Sequence, residues 1–185
     1  MDVSEIVRAL LAKRGIEDAL AIEAQLKPDY ERHLHSPFAL HDMERAVARV
    51  LLAIAGKERI AVYADFDCDG IPGAAVLSDF FNKIGYDNFE IYLPHRDREG
   101  YGFHIEAIAG LGERGVSLII TVDVGTTAIE AVDYAKQRGI DVIVTDHHEI
   151  MDATPAALAL VNPKLADYPF RELCGAAMAF KLVQA

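Results

Sequence analysis

Three apolar, strand-like runs, Ile60–Ala64, Ser117–Ile120 and Asp141–Val144, each pass directly into a short acidic segment. Those segments are Asp65-Phe66-Asp67-Cys68-Asp69-Gly70, Thr121-Val122-Asp123 and Thr145-Asp146-His147-His148. From Ile60 onward strands and helix-length stretches alternate. Strands are predicted at 60–64, 89–93, 117–122 and 141–145, with a further one at Ala157–Val161. Helices are predicted at 71–84, 104–114 and 126–138, and from Gly175 to the end. Such alternation means parallel βαβ units joined by right-handed crossovers. The expected fold class is α/β, a parallel, Rossmann-like sheet with flanking helices.

Ahead of the first strand the pattern is helical. Val3, Ile6, Val7, Leu10 and Leu11 recur at helical spacing until Gly15, and Ile16–Leu26 is a second short helix ended by Lys27-Pro28. Ser36-Pro37 marks a turn, and Asp42–Ala55 repeats apolar residues at Met43, Ala46, Val47, Val50, Leu51 and Ile54 until Gly56. The expected organisation is a small helical N-terminal region over 1–58 and an α/β domain over 59–185. Ala176–Ala185 reads as a helix without a stop signal, so the natural chain is expected to continue past Ala185.

If the three runs are neighbouring parallel strands, Asp65, Asp67, Asp69, Asp123, Asp146, His147 and His148 gather at the carboxyl ends of one sheet, where ligands bind in open α/β folds. Like charges so crowded are costly unless a multivalent cation neutralises them. Taken singly, each segment also suits an acidic turn or helix cap. Gly70 permits the bend that lets carboxylates of the first segment converge. A calcium-loop reading of that segment fails because Val76, not Glu, stands at the twelfth position. The adjacent imidazoles of His147 and His148 must point differently, so one can bind a metal while the other faces substrate, and Asp146 can orient a ring. Oxygen-rich ligands with one or two His suit Mn²⁺ or Mg²⁺ better than a structural zinc site. Pro94–Gly102 also follows a strand end; there Arg96 and Arg98 can meet phosphate and Tyr101 can stack a base.

Charge and composition bound the partners. A net charge of −11 argues, by itself, against a nucleic-acid binder, although two divalent ions would return part of it locally. No apolar run approaches the roughly 20 residues that span a bilayer, and the N-terminus fits neither a secretory signal nor a transit peptide. Cys68 and Cys174 lie far apart without metal or redox spacing, which suits a reduced, cytoplasmic compartment.

Together these residues resemble the DHH phosphoesterase superfamily, and within it the RecJ group of single-strand-specific exonucleases. The resemblance rests on ADFDCDG at 64–70, PHRDREGYG at 94–102, TVDVG at 121–125, VTDHHE at 144–149, VNPK at 161–164 and YPFRELCGAAMAFKL at 168–182. It implies two divalent ions, Mn²⁺ or Mg²⁺, held by Asp67 and Asp69, by a bridging Asp123 and by His147, with Asp65 a direct or outer ligand. It also implies that His148 contacts the scissile phosphate. A fourth-motif aspartate and a DNA-gripping domain would lie past Ala185, leaving this stretch weak or inactive alone. Phe66, Cys68 and Val124 stand where other residues are more usual in the family, and none removes a ligand. The implied activity is 5′-to-3′ hydrolysis of single-stranded DNA to 5′-mononucleotides in repair and recombination, alongside a single-strand-binding protein and a helicase. Two rivals stay open: a DHH hydrolase of short oligonucleotides, cyclic dinucleotides or pyrophosphate, and a non-catalytic replication scaffold.

Overall fold

The structure, a computed structural model, describes residues 3–185. It divides into two compact units, Met1–His35 and Ser36–Ala185. In the first, α1 (Glu5–Ala12), α2 (Ala19–Leu26) and the short α3 (Tyr30–His33) bury Val3, Leu11 and Ile22 against Val7 and Ile16. Each begins where an oxygen side chain can take up a free N–H group: Ser4 accepts from Val7 N, Asp18 from Leu20 N and Ala21 N, and Asp29 from Glu31 N and Arg32 N.

In the second unit, five parallel strands run in the order β2-β1-β3-β4-β5. They are β1 (Arg59–Ala64), β2 (Phe89–Tyr92), β3 (Val116–Val122), β4 (Asp141–Thr145) and β5 (Ala159–Val161). The helices between them are α5 (Gly70–Lys83), α6 (Ile105–Glu113) and α7 (Ile129–Gln137), and α8 (Gly175–Gln184) follows β5. The α/β expectation holds, with β5 shorter than predicted and α7 starting three residues later than 126.

Strand alternation decides which face each side chain joins. Ile60, Val62 and Ala64 of β1 pack with α5, α8 and α4 (Met43–Gly56), whereas Ala61 and Tyr63 pack with α6 and α7. Helix α4, grouped with the N-terminal helices on sequence pattern, thus lies on the sheet and buries Met43, Ala46, Val50 and Ala53. Its start is fixed by Asp42, whose left-handed backbone (φ 56°) turns Oδ2 toward the outer edge of the sheet, where it accepts from Leu160 N at 3.1 Å. That contact occupies an edge-strand donor that would otherwise face solvent. Below the sheet, Arg49 of α4 reaches Asp141 Oδ2 and Glu58 Oε2, each at 2.6 Å, and Ser117 donates to Glu58.

The chain leaves β1 for β2 on one side and returns to β3 on the other, so its winding direction reverses between β1 and β3. Carboxyl ends at such a switch point leave a crevice for ligands. No helix among the described residues is long and apolar enough to cross a membrane.

Candidate metal centre

The crevice is built by a ladder that continues one step past the strands. Asp65 N donates to Val122 O at 3.2 Å, Asp123 N to Thr145 O at 3.0 Å, and Asp146 N to Val161 O at 3.1 Å. Each aspartate is therefore the first residue beyond its own strand, and the three stand side by side along the sheet edge. Asn162 holds the same position after β5. It is fully buried, with Nδ2 donating to Thr126 Oγ1 and to the His148 carbonyl. The VNPK block at 161–164 includes Asn162 without giving it a role; its signal is the same as that of the aspartates, a polar residue closing an apolar strand.

After β1 the chain folds back on itself. Asp67 Oδ1 accepts from Asp69 N at 2.8 Å and Gly70 N at 2.9 Å, closing the turn into α5. A Cβ at Gly70 would lie 2.4 Å from Asp65 O, so only glycine admits this bend. Burial favours the neutral form of Asp67, but the N–H groups of Gly70 and Asp69 outweigh it and hold the carboxyl below its ordinary range. Asp69 behaves likewise through Ala176 N and Gly175 N.

Asp123 and Asp65 are different. Both are buried, and Oδ1 of each accepts no hydrogen bond among the described residues. Burial, followed by the charges of Asp69, Asp67 and Asp146, pushes the Asp123 carboxyl up to about 8; burial also raises that of Asp65. Asp123 further sits in the left-handed region, at φ 62°, a conformation that short polar residues tolerate and bulky ones do not. Buried, unpartnered carboxylate oxygens among like charges are costly by themselves and fit a cation.

The donor atoms converge in two groups. Those of Asp65, Asp67 and Asp123 lie within 4.8 Å of one another, as do those of Asp123, His147 and His148. Asp123 belongs to both. Its Oδ1 is 3.0 Å from His147 Nε2, and Asp69 Oδ2 is 3.5 Å from the same nitrogen. Asp69 stands outside the two tight groups because its carboxylate is turned toward α8.

His148 is turned by Asp146. Its Nδ1 lies 2.7 Å from Asp146 Oδ1, whose partner oxygen accepts from Thr126 N at 2.8 Å. Burial would raise the Asp146 pKa, but these bonds outweigh it and hold it at about 2. The Asp146 hydrogen bond in turn raises that of His148. His148 Nε2 faces the Tyr101 hydroxyl at 3.4 Å, across a cavity of about 470 Å³ lined by Tyr101, Phe103, His104, Gly125 and Thr127 among others. Tyr101 is carried there by the loop after β2, which Glu99 closes by accepting from His95 N at 2.7 Å. Arg96 lies in the same loop with its guanidinium over the Phe66 ring, 4.7 Å from the centroid, beside the first acidic segment. The aspartates and histidines singled out from the sequence, with Arg96 and Tyr101, thus lie along this one sheet edge, whereas Arg98, among the described residues, shows only a backbone bond to the His95 carbonyl within its loop.

The family model described as "DHH family, N-terminal domain" matches residues 59–185. The chain belongs to the DHH family. Among curated DHH relatives, the single-stranded-DNA-specific exonuclease RecJ of Bacillus subtilis is 38% identical over all of this chain and 24% of its own length. The protein of the same name from Escherichia coli is 35% identical over all of this chain and 31% of its own length. The chain therefore spans about a quarter to a third of the curated relatives it matches. A crystal structure of an exonuclease RecJ bound to manganese superposes with a TM-score of 0.73 at 31% identity, covering 81% of this chain and 38% of that one. RecJ from Thermus thermophilus in complex with Mn²⁺ gives 0.72 at 26% identity, covering 96% and 24%.

Proposed function

We propose that this edge of the sheet binds two divalent cations, Mn²⁺ or Mg²⁺, and that the protein is a phosphodiesterase removing 5′-mononucleotides from single-stranded DNA in the 5′-to-3′ direction. The observation that carries the metal reading is Asp123, a buried carboxylate common to both donor groups whose Oδ1 accepts no hydrogen bond and has only the His147 imidazole nitrogen beside it, at 3.0 Å. The two relatives named as single-stranded-DNA-specific exonucleases and the two manganese-bound RecJ structures support the choice of substrate and ion; the polarity and the product come from the family resemblance.

Asp65, Asp67 and Asp123 would hold one ion, and Asp123 with His147 and Asp69 the other. Two such cations would supply an activated water for attack at phosphorus and neutralise charge on the leaving oxygen. His148 has its Nδ1 committed to Asp146, so Nε2 is left to meet a phosphoryl oxygen. Arg96, with its guanidinium over the Phe66 ring, adds a cation for the phosphate, and Tyr101 offers a ring for a base. Thr126 and Asn162 hold the Asp146–His148 unit in place through the bonds described above. A single-strand-binding protein and a helicase as partners, and a cytoplasmic location, belong to the same proposal.

The test, run with the natural protein because this stretch alone is expected to be weak or inactive, is hydrolysis of a long 5′-labelled single strand beside that of a dinucleotide, each with Mn²⁺ and with chelator. Metal-dependent release of mononucleotides from the long strand is the expected result. Preference for the dinucleotide would favour a small-substrate hydrolase, which the net charge of −11 also suits. No hydrolysis of either would count for a scaffold.

A further inference from the structure

Helix α8 meets the acidic pocket end-on. Gly175 N donates to Asp69 Oδ2 at 2.7 Å and Ala176 N to Asp69 Oδ1 at 2.9 Å. The Cys174 thiol sits beside the same carboxylate and, after burial and the two N–H groups, helps to hold its pKa down. The opening N–H groups of a helix have no partner inside it, and they carry the positive end of its dipole. A carboxylate placed there is held ionised and fixed in orientation. On the other side of the same turn, Gly175 presses on Asp123. A Cβ on it would lie 2.5 Å from Asp123 Cβ and 2.6 Å from both Cγ and Oδ1. One helical turn therefore grips two carboxylates of the pocket, one by hydrogen bonds and one by contact.

Plain helix capping does not account for this. A cap is ordinarily supplied by the residue just before the helix. Here that residue is Cys174, whose side chain makes no capping bond to α8, and the acceptor comes from 106 residues earlier in the chain. Nor does capping call for glycine at the first helical position, where it lowers helix stability relative to alanine. Both departures have the same explanation at the pocket: the remote cap is Asp69, and the missing Cβ is the space Asp123 fills.

We infer that the turn Cys174-Gly175-Ala176 sets the positions of Asp69 and Asp123 for metal, with Gly175 as a positioning residue. The inference rests on the reading of the pocket as a metal site. The experiment is calorimetric titration of Mn²⁺ into the wild-type chain and Gly175→Ala, with metal-free melting curves alongside. Ile108→Val, a buried change in the opposite helical layer, serves as a control for general destabilisation.

Gly175→Ala is expected to melt cooperatively and bind Mn²⁺ about tenfold more weakly or worse, as when the outer partners of metal ligands are disturbed. Ile108→Val should melt lower with unchanged affinity. A folded Gly175→Ala that binds Mn²⁺ like the wild type overturns the inference. If Gly175→Ala does not fold, the exposed Cys174 decides. Weaker binding by Cys174→Ala that Cys174→Ser restores supports a positioning role, and unchanged binding by Cys174→Ala overturns it. A wild-type chain that binds no Mn²⁺ removes the metal reading itself, and this inference with it; wild-type binding with unaffected variants removes the inference alone.

Discussion

His148 Nδ1 lies 2.7 Å from Asp146 Oδ1, and that bond decides which ring nitrogen faces the pocket. Asp146, held at about 2, is ionised and can only accept, so Nδ1 carries the proton. The same bond raises the His148 pKa; the protonated ring presents an Nε2–H that can donate to a phosphoryl oxygen, whereas the neutral ring can only accept there, as from the Tyr101 hydroxyl.

Asp146→Asn preserves shape but removes the charge that fixes the ring. Turnover on single-stranded DNA is expected to fall about 10- to 100-fold, the usual range for losing such a partner. Nitrogen NMR of His148 should show Nδ1 protonated in the wild type and a mixture in the variant. An unchanged ring signal would break the link between this bond and the tautomer.

The two histidines should separate experimentally. His147 Nε2 lies close to both Asp123 and Asp69, whereas His148 is committed to Asp146 on one side and opens toward Tyr101 on the other. His147→Ala should weaken Mn²⁺ binding in calorimetry. His148→Ala should bind Mn²⁺ and lose turnover, and equal losses of affinity in both variants would refute the division of labour.

Asp123 should cost stability when no cation is present. Its folded pKa of about 8 lies above the ordinary 3.8, so between those values the folded state holds a proton that the unfolded state has released. Stability from this group therefore falls as pH rises across that window. In chelator at pH 8, Asp123→Asn should melt above the wild type, and added Mn²⁺ should raise the melting temperature of the wild type alone. A lower melting temperature for the metal-free variant would mean that Asp123 is satisfied in a way its buried, unpartnered oxygen does not indicate.

The opposite sign holds at the far end of the sheet. Glu58 is held below its ordinary 4.5 first by the hydrogen bond from Arg49 and then by that from Ser117. Its contribution is present above 4.5 and is lost as pH falls through the lowered folded value. Arg49→Met should cost about 2 kcal/mol near neutrality, the scale of a hydrogen bond to a charged group. It should also flatten the acid limb of a pH–stability curve measured by denaturant melts. An acid limb of unchanged steepness would place that pH dependence elsewhere.

Much of this arrangement is legible in the sequence because it is local. An apolar run that stops at an aspartate marks both a strand and the end that carries chemistry, which is why the sequence alone groups Asp65, Asp123 and Asp146. The periodicity of Met43, Ala46 and Val50 likewise marks a helix. It does not say where the helix packs, because Asp42 finds its partner at Leu160, far along the chain. The capture of Asp69 by Gly175 and Ala176 is hidden for the same reason. The cysteine before that helix gives no sign of a cap, since the cap arrives from another strand end. Asn162 closes its strand in the same way, but an uncharged amide among acidic strand ends does not reveal its role, which depends on Thr126 and His148 elsewhere in the chain.

The left-handed backbone at Asp123 narrows the ways such a chain can lose its chemistry over time. Branched and bulky residues are shut out by sterics, while Asp, Asn and Gly fit the conformation. Asn and Gly each lie a single base change from Asp, and either leaves the strand, the turn and the packing of neighbouring helices undisturbed. A lineage drifting toward a purely structural role can cross at this position with its architecture intact and one residue to record the change. With Asp at 123, this chain stands on the near side of that crossing.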